Sequence, residues 1–182
     1  MIKNKLGVKG HVKIRIKDSE GNFKSLWQEN KLGELLGLQI PGLTGKYSTE
    51  YHKDNLIVDA GLAGIASRYN GDGAEAAFTY IAVGTSDTDP TDGTKETLVA
   101  EITDSGLERA AATASREKTT KTNDTAKLVK EFTVTGPKAI NEVGILNAAT
   151  DGTLGSRTVI TTKNVDSGDT IEITYTLQVA EA

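Results

Sequence analysis

Between residues 170 and 179, apolar and polar side chains alternate without a break. Ile171, Ile173, Tyr175, Leu177 and Val179 fall on one face, and Glu172, Thr174, Thr176 and Gln178 on the other. A period of two over this length describes a strand with one side on a core and the other in water. Shorter stretches of the same kind fill the chain from residue 78 onward, with strands predicted at 78–84, 108–119, 125–135, 140–147, 155–162 and 170–179. Turn signals separate most of them: Asn123-Asp124, Gly136-Pro137, Asp151-Gly152 and Ser167-Gly168-Asp169. Near the start, Val12, Ile14 and Ile16 alternate with Lys13, Arg15 and Lys17. Residues 18–22 form a turn, and 23–28 are predicted to return as the partner strand of an N-terminal hairpin. Eight strands at this spacing predict a mainly β fold, an antiparallel β-sandwich or a jelly-roll-like barrel.

Two segments break the pattern. In 59–69, Leu62, Ile65 and Tyr69 recur at helical spacing among small residues, so one short helix is predicted, N-capped by Asp59 and stopped by Asn70-Gly71-Asp72-Gly73. It would lie across a sheet or plug one end of a sandwich. In 31–54, six leucines and isoleucines are interrupted by Gly33, Gly37, Pro41, Gly42 and Gly45. Glycine at that density destabilises a continuous helix by about 1 kcal/mol per residue relative to alanine. The segment reads either as a loop folded over the core or as an extended arm docked on a neighbouring subunit. In the second case Leu35, Leu36, Leu38, Ile40 and Leu43 are the partner-binding anchors, with residues 1–10 as a second contact. The organisation expected is 1–30 packing on the main domain, 31–54 as arm or loop, and 55–182 as the β domain.

Composition removes several classes of function. The 182 residues carry a formal net charge of −4, which disfavours nucleic-acid binding through a basic field. There is no cysteine, so thiol catalysis, disulfides and thiolate metal sites are excluded. No stretch is long and apolar enough for a membrane helix, and residues 1–10 lack the apolar core of a signal peptide. The two histidines, His11 and His52, adjoin no nucleophile in a recognisable motif and read as structural or solvent-facing. Asp87, Asp89 and Asp92 alternate as calcium ligands can. However, Asp92 stands where an EF-hand needs glycine and Leu98 where it needs glutamate, so the loop reads as a solvated turn. Arg109, Arg116, Lys118, Lys121, Lys127 and Lys130 read as a solvated sheet face, with an acidic partner as the alternative. No enzyme, cofactor or metal is expected.

Several segments carry a resemblance. Asn-Leu-Ile-Val-Asp-Ala-Gly-Leu-Ala begins at Asn55, Phe-Thr-Tyr-Ile-Ala-Val-Gly-Thr at Phe78, and Thr-Leu-Val-Ala-Glu-Ile at Thr97. Glu-Arg-Ala-Ala-Ala-Thr-Ala-Ser-Arg begins at Glu108, Asn-Glu-Val-Gly-Ile-Leu-Asn-Ala at Asn141, and Ser-Gly-Asp-Thr-Ile-Glu-Ile-Thr-Tyr at Ser167. Over 55–179 this series resembles tailed-bacteriophage virion proteins of the capsid-decoration, minor-structural and tail-fibre-like kinds. The resemblance brings no catalytic residues. It implies a capsid decoration (cement) protein on the outer capsid surface, assembled in the host cytoplasm, bridging major capsid subunits and pairing with copies of itself, commonly as a trimer. The alternative is a tail, collar or fibre-attachment component with tail or collar partners. A carbohydrate-binding module for host recognition would need exposed aromatic platforms, and the single tryptophan, Trp27, reads as core.

Overall fold

The structure is a computed structural model and describes residues 6–88 and 93–181. In chain order it contains β1 (Leu6–Lys17), β2 (Leu26–Glu29), α1 (Lys31–Leu36), β3 (Gly45–Ser48), β4 (Tyr51–Ile57) and α2 (Asp59–Asn70). These are followed by β5 (Tyr80–Gly84), β6 (Ala110–Ala111), β7 (Thr113–Glu117), β8 (Thr125–Thr133), β9 (Lys138–Leu146), β10 (Leu154–Val165) and β11 (Thr170–Glu181). Nine strands form one sheet in the order β6-β5-β9-β10-β4-β1-β11-β8-β7, and β2 and β3 form a separate two-stranded ribbon. Every ladder is antiparallel. The fold is therefore mainly β, as the alternation predicts.

The sheet curls into a nearly closed barrel, and the chain itself supplies the closure. Its two edge strands, β6 and β7, are separated in sequence only by Ala112, whose N–H donates to the Thr79 carbonyl at 2.8 Å. The stretch expected as one strand over 108–119 thus splits, its first part pairing with β5 and its second with β8. Side chains from both halves meet inside: Ile81 and Val83 of β5 share one buried cluster with Leu128 and Phe132 of β8. The central pair shows how the alternation is used. Ile14 stands opposite Ile173 and Ile16 opposite Ile171, all four fully buried, while Arg15 stands opposite Glu172 and bonds it at 2.6 Å on the outside.

The N-terminal hairpin does not form. The turn at 18–22 closes as read: Asp18 accepts from the N–H groups of Glu20 and Asn22 at 3.0 and 2.9 Å, and Gly21 takes φ 87. Beyond the Lys17–Phe23 bridge the returning chain leaves, because β11 and β4 already occupy the two flanks of β1. β2 pairs with β3 instead.

Helix α2 also packs differently from its apolar spacing. Its buried positions are Gly61, Gly64 and Ser67, whereas Leu62 is exposed and Tyr69 stands almost wholly in solvent. A Cβ at Gly61 would overlap the Gly155 carbonyl oxygen, and one at Gly64 would overlap the Phe78 ring. The helix lies so close to β10 that only glycine fits beneath it. Its N-cap is Val58, which offers no side-chain bond; Asp59 is already the first helical residue, and its N–H donates to the Gly93 carbonyl at 2.9 Å.

Candidate functional site

The five candidate anchors lie on the excursion that connects β2 to β3, the two strands of the separate ribbon. This excursion builds its own support. Asn30 caps α1, its Oδ1 accepting from the Gly33 N–H at 2.9 Å and its Nδ2 donating to the Leu43 carbonyl at 2.9 Å. Gly37 ends the helix in the left-handed region at φ 62, returning its N–H to the Gly33 carbonyl. The segment then closes around Thr44, which is fully buried: its hydroxyl donates to the Leu38 carbonyl and accepts from the Ile40 N–H, both at 2.7 Å. Lys53 on β4 tethers α1 to the barrel through Glu34 at 2.6 Å and Glu29 at 3.2 Å.

With the backbone tied inward, the apolar side chains face solvent. Leu35 is 80% exposed, and Leu36, Leu38, Ile40 and Leu43 lie between 44% and 54%. Leu32 and Tyr47 extend the same surface. Five large apolar side chains are thus exposed on one short excursion.

The 31–54 stretch is not a free extended arm throughout, since Lys31–Leu36 is helical and its later part is paired. Gly45–Ser48 is β3, and residues 51–54 belong to β4, a strand inside the barrel wall. The reason is local: Tyr51 is fully buried, and its hydroxyl donates to Glu29 Oε1 at 2.9 Å, which fixes the strand in the sheet. Residues 1–5 of the second expected contact lie outside the described residues, and Gly7–Gly10 pair with β11.

Other candidates are dispersed. Trp27 is buried, edge-on to Tyr47 at 5.3 Å between ring centroids, as expected of a core residue. Asp87 is exposed, while Asp89 and Asp92 lie outside the described residues. The six basic residues do not share a face. Arg116 stands opposite Ala126, on the side of Lys130, whereas Lys127 faces the other way and pairs with Glu117 at 3.0 Å. Arg109 is held by Glu101 at 2.6 Å and by the Asp151 carbonyl at 2.6 Å, so it braces two loops.

Sequence reading missed one juxtaposition. His11 on β1 and His52 on β4 meet on the outer face, Nε2 to Nδ1 at 3.1 Å. The signal was a His-x-Lys and a His-x-Asp on neighbouring strands, legible only once 51–54 is known to be a strand in register with β1.

A comparison with protein families matches residues 52–179 to the model described as "Podophage GP4 fiber I protein gp80". The match covers more than half of the chain and overlaps the segments that carry the virion resemblance. It favours the fibre alternative over capsid cement. No curated protein and no solved structure matches the chain. The chain belongs to the podophage GP4 fiber I protein gp80 family, a family of phage fibre proteins.

Proposed function

We propose that this protein is a non-enzymatic structural component of the fibre or tail apparatus, joined to a neighbouring fibre or tail subunit through the apolar excursion at 31–44. One observation carries the reading: the exposed leucines sit on a locally hydrogen-bonded platform that lies outside the family-matched segment 52–179. The shared body is then the part of the barrel from β4 to β11, to which β1 and the β2–β3 ribbon with its excursion are added, and the excursion is the attachment element. Burying each leucine on a partner contributes about 1.5–3 kcal/mol before ordering costs. The platform is already ordered by Asn30 and Thr44, which keeps those costs low. The non-enzymatic reading rests on the fibre family to which the chain belongs.

The test is particle incorporation of Leu36→Asp combined with Ile40→Asp, read by quantitative mass spectrometry and imaging of purified virions. The wild-type chain is expected at the tail in few copies, and the variant is expected to fold yet be missing from particles. Copies spread over the whole shell would overturn the fibre reading in favour of decoration. A variant that is incorporated normally would remove the excursion from the contact.

A further inference from the structure

We propose that His11 and His52 form a binding site for a divalent transition-metal ion of the zinc, nickel or copper class. His11 Nδ1 lies 3.1 Å from Asp54 Oδ1, and His52 Nε2 lies 3.4 Å from Glu50 Oε2. A carboxylate only accepts, so the Asp54 hydrogen bond places the His11 N–H on Nδ1, and the nearby Glu50 carboxylate favours the His52 N–H on Nε2. The two remaining nitrogens, His11 Nε2 and His52 Nδ1, then present lone pairs to each other at 3.1 Å. Lone pairs at that separation repel unless a proton or a metal ion lies between them, and a metal ion can take the place of the proton.

The spacing suits a metal ion. Two bonds of about 2.0–2.1 Å meeting at an angle between square and tetrahedral hold their nitrogens about 2.9–3.4 Å apart. Imidazole nitrogen is a preferred donor for zinc, copper and nickel. A carboxylate on the far nitrogen of each ring is the outer-shell arrangement that orients metal-binding histidines and raises their basicity. Here Asp54 and Glu50 supply one each.

The rings approach nearly head-on, with centroids 5.3 Å apart and planes 25° from parallel. Seating an ion requires both to tip outward, which their exposure permits: the side chains are 40% and 44% accessible. The strands themselves hold the pair in place, since His11 stands opposite Asp54 and His52 opposite Lys13 in the β1–β4 ladder. Lys13 is engaged by Glu50 at 3.6 Å, which draws its charge away from the rings. The other strand beside His11 contributes uncharged Thr174 and Thr176. Water completes the coordination shell on the solvent side.

The experiment is calorimetric titration of the full chain with zinc chloride and, separately, nickel chloride. One ion per chain is expected, with His11→Ala and His52→Ala each abolishing saturable binding. Asp54→Asn is expected to weaken it by about 10–100-fold, the usual effect of removing an outer-shell partner. Because the chain has two histidines in all, substoichiometric copper(II) should broaden the imidazole proton resonances of both rings together. That spectrum decides the matter on the unaltered protein if a variant fails to fold. Absence of saturable one-to-one binding, binding that survives loss of both histidines, or broadening of one ring alone would overturn the site.

Discussion

Arg157 Nε donates to Glu142 Oε2 at 2.7 Å inside the barrel wall, with the two side chains 1% and 0% accessible. Neither charge is left with a single partner. Glu142 also accepts from the N–H groups of Ala100 at 2.8 Å and Val99 at 3.3 Å, and Arg157 Nη2 donates to the Thr88 carbonyl at 3.0 Å. The pair therefore fastens the long β5–β6 connection to strands β9 and β10 at two points. This gives a physical role to the glutamate of the Asn-Glu-Val-Gly-Ile-Leu segment, and that role is structural.

Arg157→Met is expected to destabilise the protein by about 3–5 kcal/mol, because it leaves the Glu142 carboxylate buried without its counter-charge. Urea unfolding measures the loss. Hydrogen exchange at Val99 and Ala100 should accelerate in the same variant. A change under about 1 kcal/mol would mean that water enters freely and the pair is not buried in solution.

Gly61→Ala separates close packing from helix propensity by sign. Propensity alone favours alanine by about 0.8–1.0 kcal/mol in a helix interior. The Gly155 carbonyl beneath Gly61 leaves no room for a Cβ, so overpacking should dominate and cost about 1–3 kcal/mol. A stabilised variant in thermal melts would show that α2 stands further from β10.

Lys163 gives a pH signature. Its ammonium is buried, 3.6 Å from the Tyr51 ring centroid, and donates to the Thr161 carbonyl at 2.8 Å. Burial pushes its pKa down from 10.5 to about 8, against the pull of the Glu29 carboxylate. Between those two values the unfolded chain holds a proton that the native chain has released. Stability contributed at this site therefore rises with pH from about 8 to about 10.5 and is lowest below 8. Comparing wild type with Lys163→Met across that window isolates the effect. The wild type should gain on the variant as pH rises, whereas a constant difference would rule out a depressed lysine.

The strands with polar-apolar alternation were legible because their burial follows a simple period: Ile171, Ile173 and Tyr175 point inward as the spacing requires. β4 was hidden because His52, Lys53, Asp54 and Asn55 give it no apolar alternation, and its position in the sheet is secured by Tyr51 and by pairing with β1. The partner of β2 was misread because local turn chemistry at Asp18 and Gly21 says nothing about which flanks of β1 are already taken. The inner face of α2 escaped the apolar period because it is made of two glycines and a serine, the glycines serving by what they omit. The leucines of the excursion were visible in sequence as an apolar run broken by glycine. Their outward direction depends on Thr44, a single buried hydroxyl that no periodicity marks.

The near-closure of the barrel at Ala112 limits how the backbone of one copy of this chain could meet another. Each strand longer than five residues has a neighbour on either side, and the terminal positions fall to two-residue β6 and five-residue β7. β7 carries Arg116 and Glu117, charges of the sort that discourage strand-to-strand templating. Backbone recruitment of one barrel by another is thereby blunted, so any contact the barrel makes falls to its side-chain surfaces, which can be specific and finite rather than open-ended.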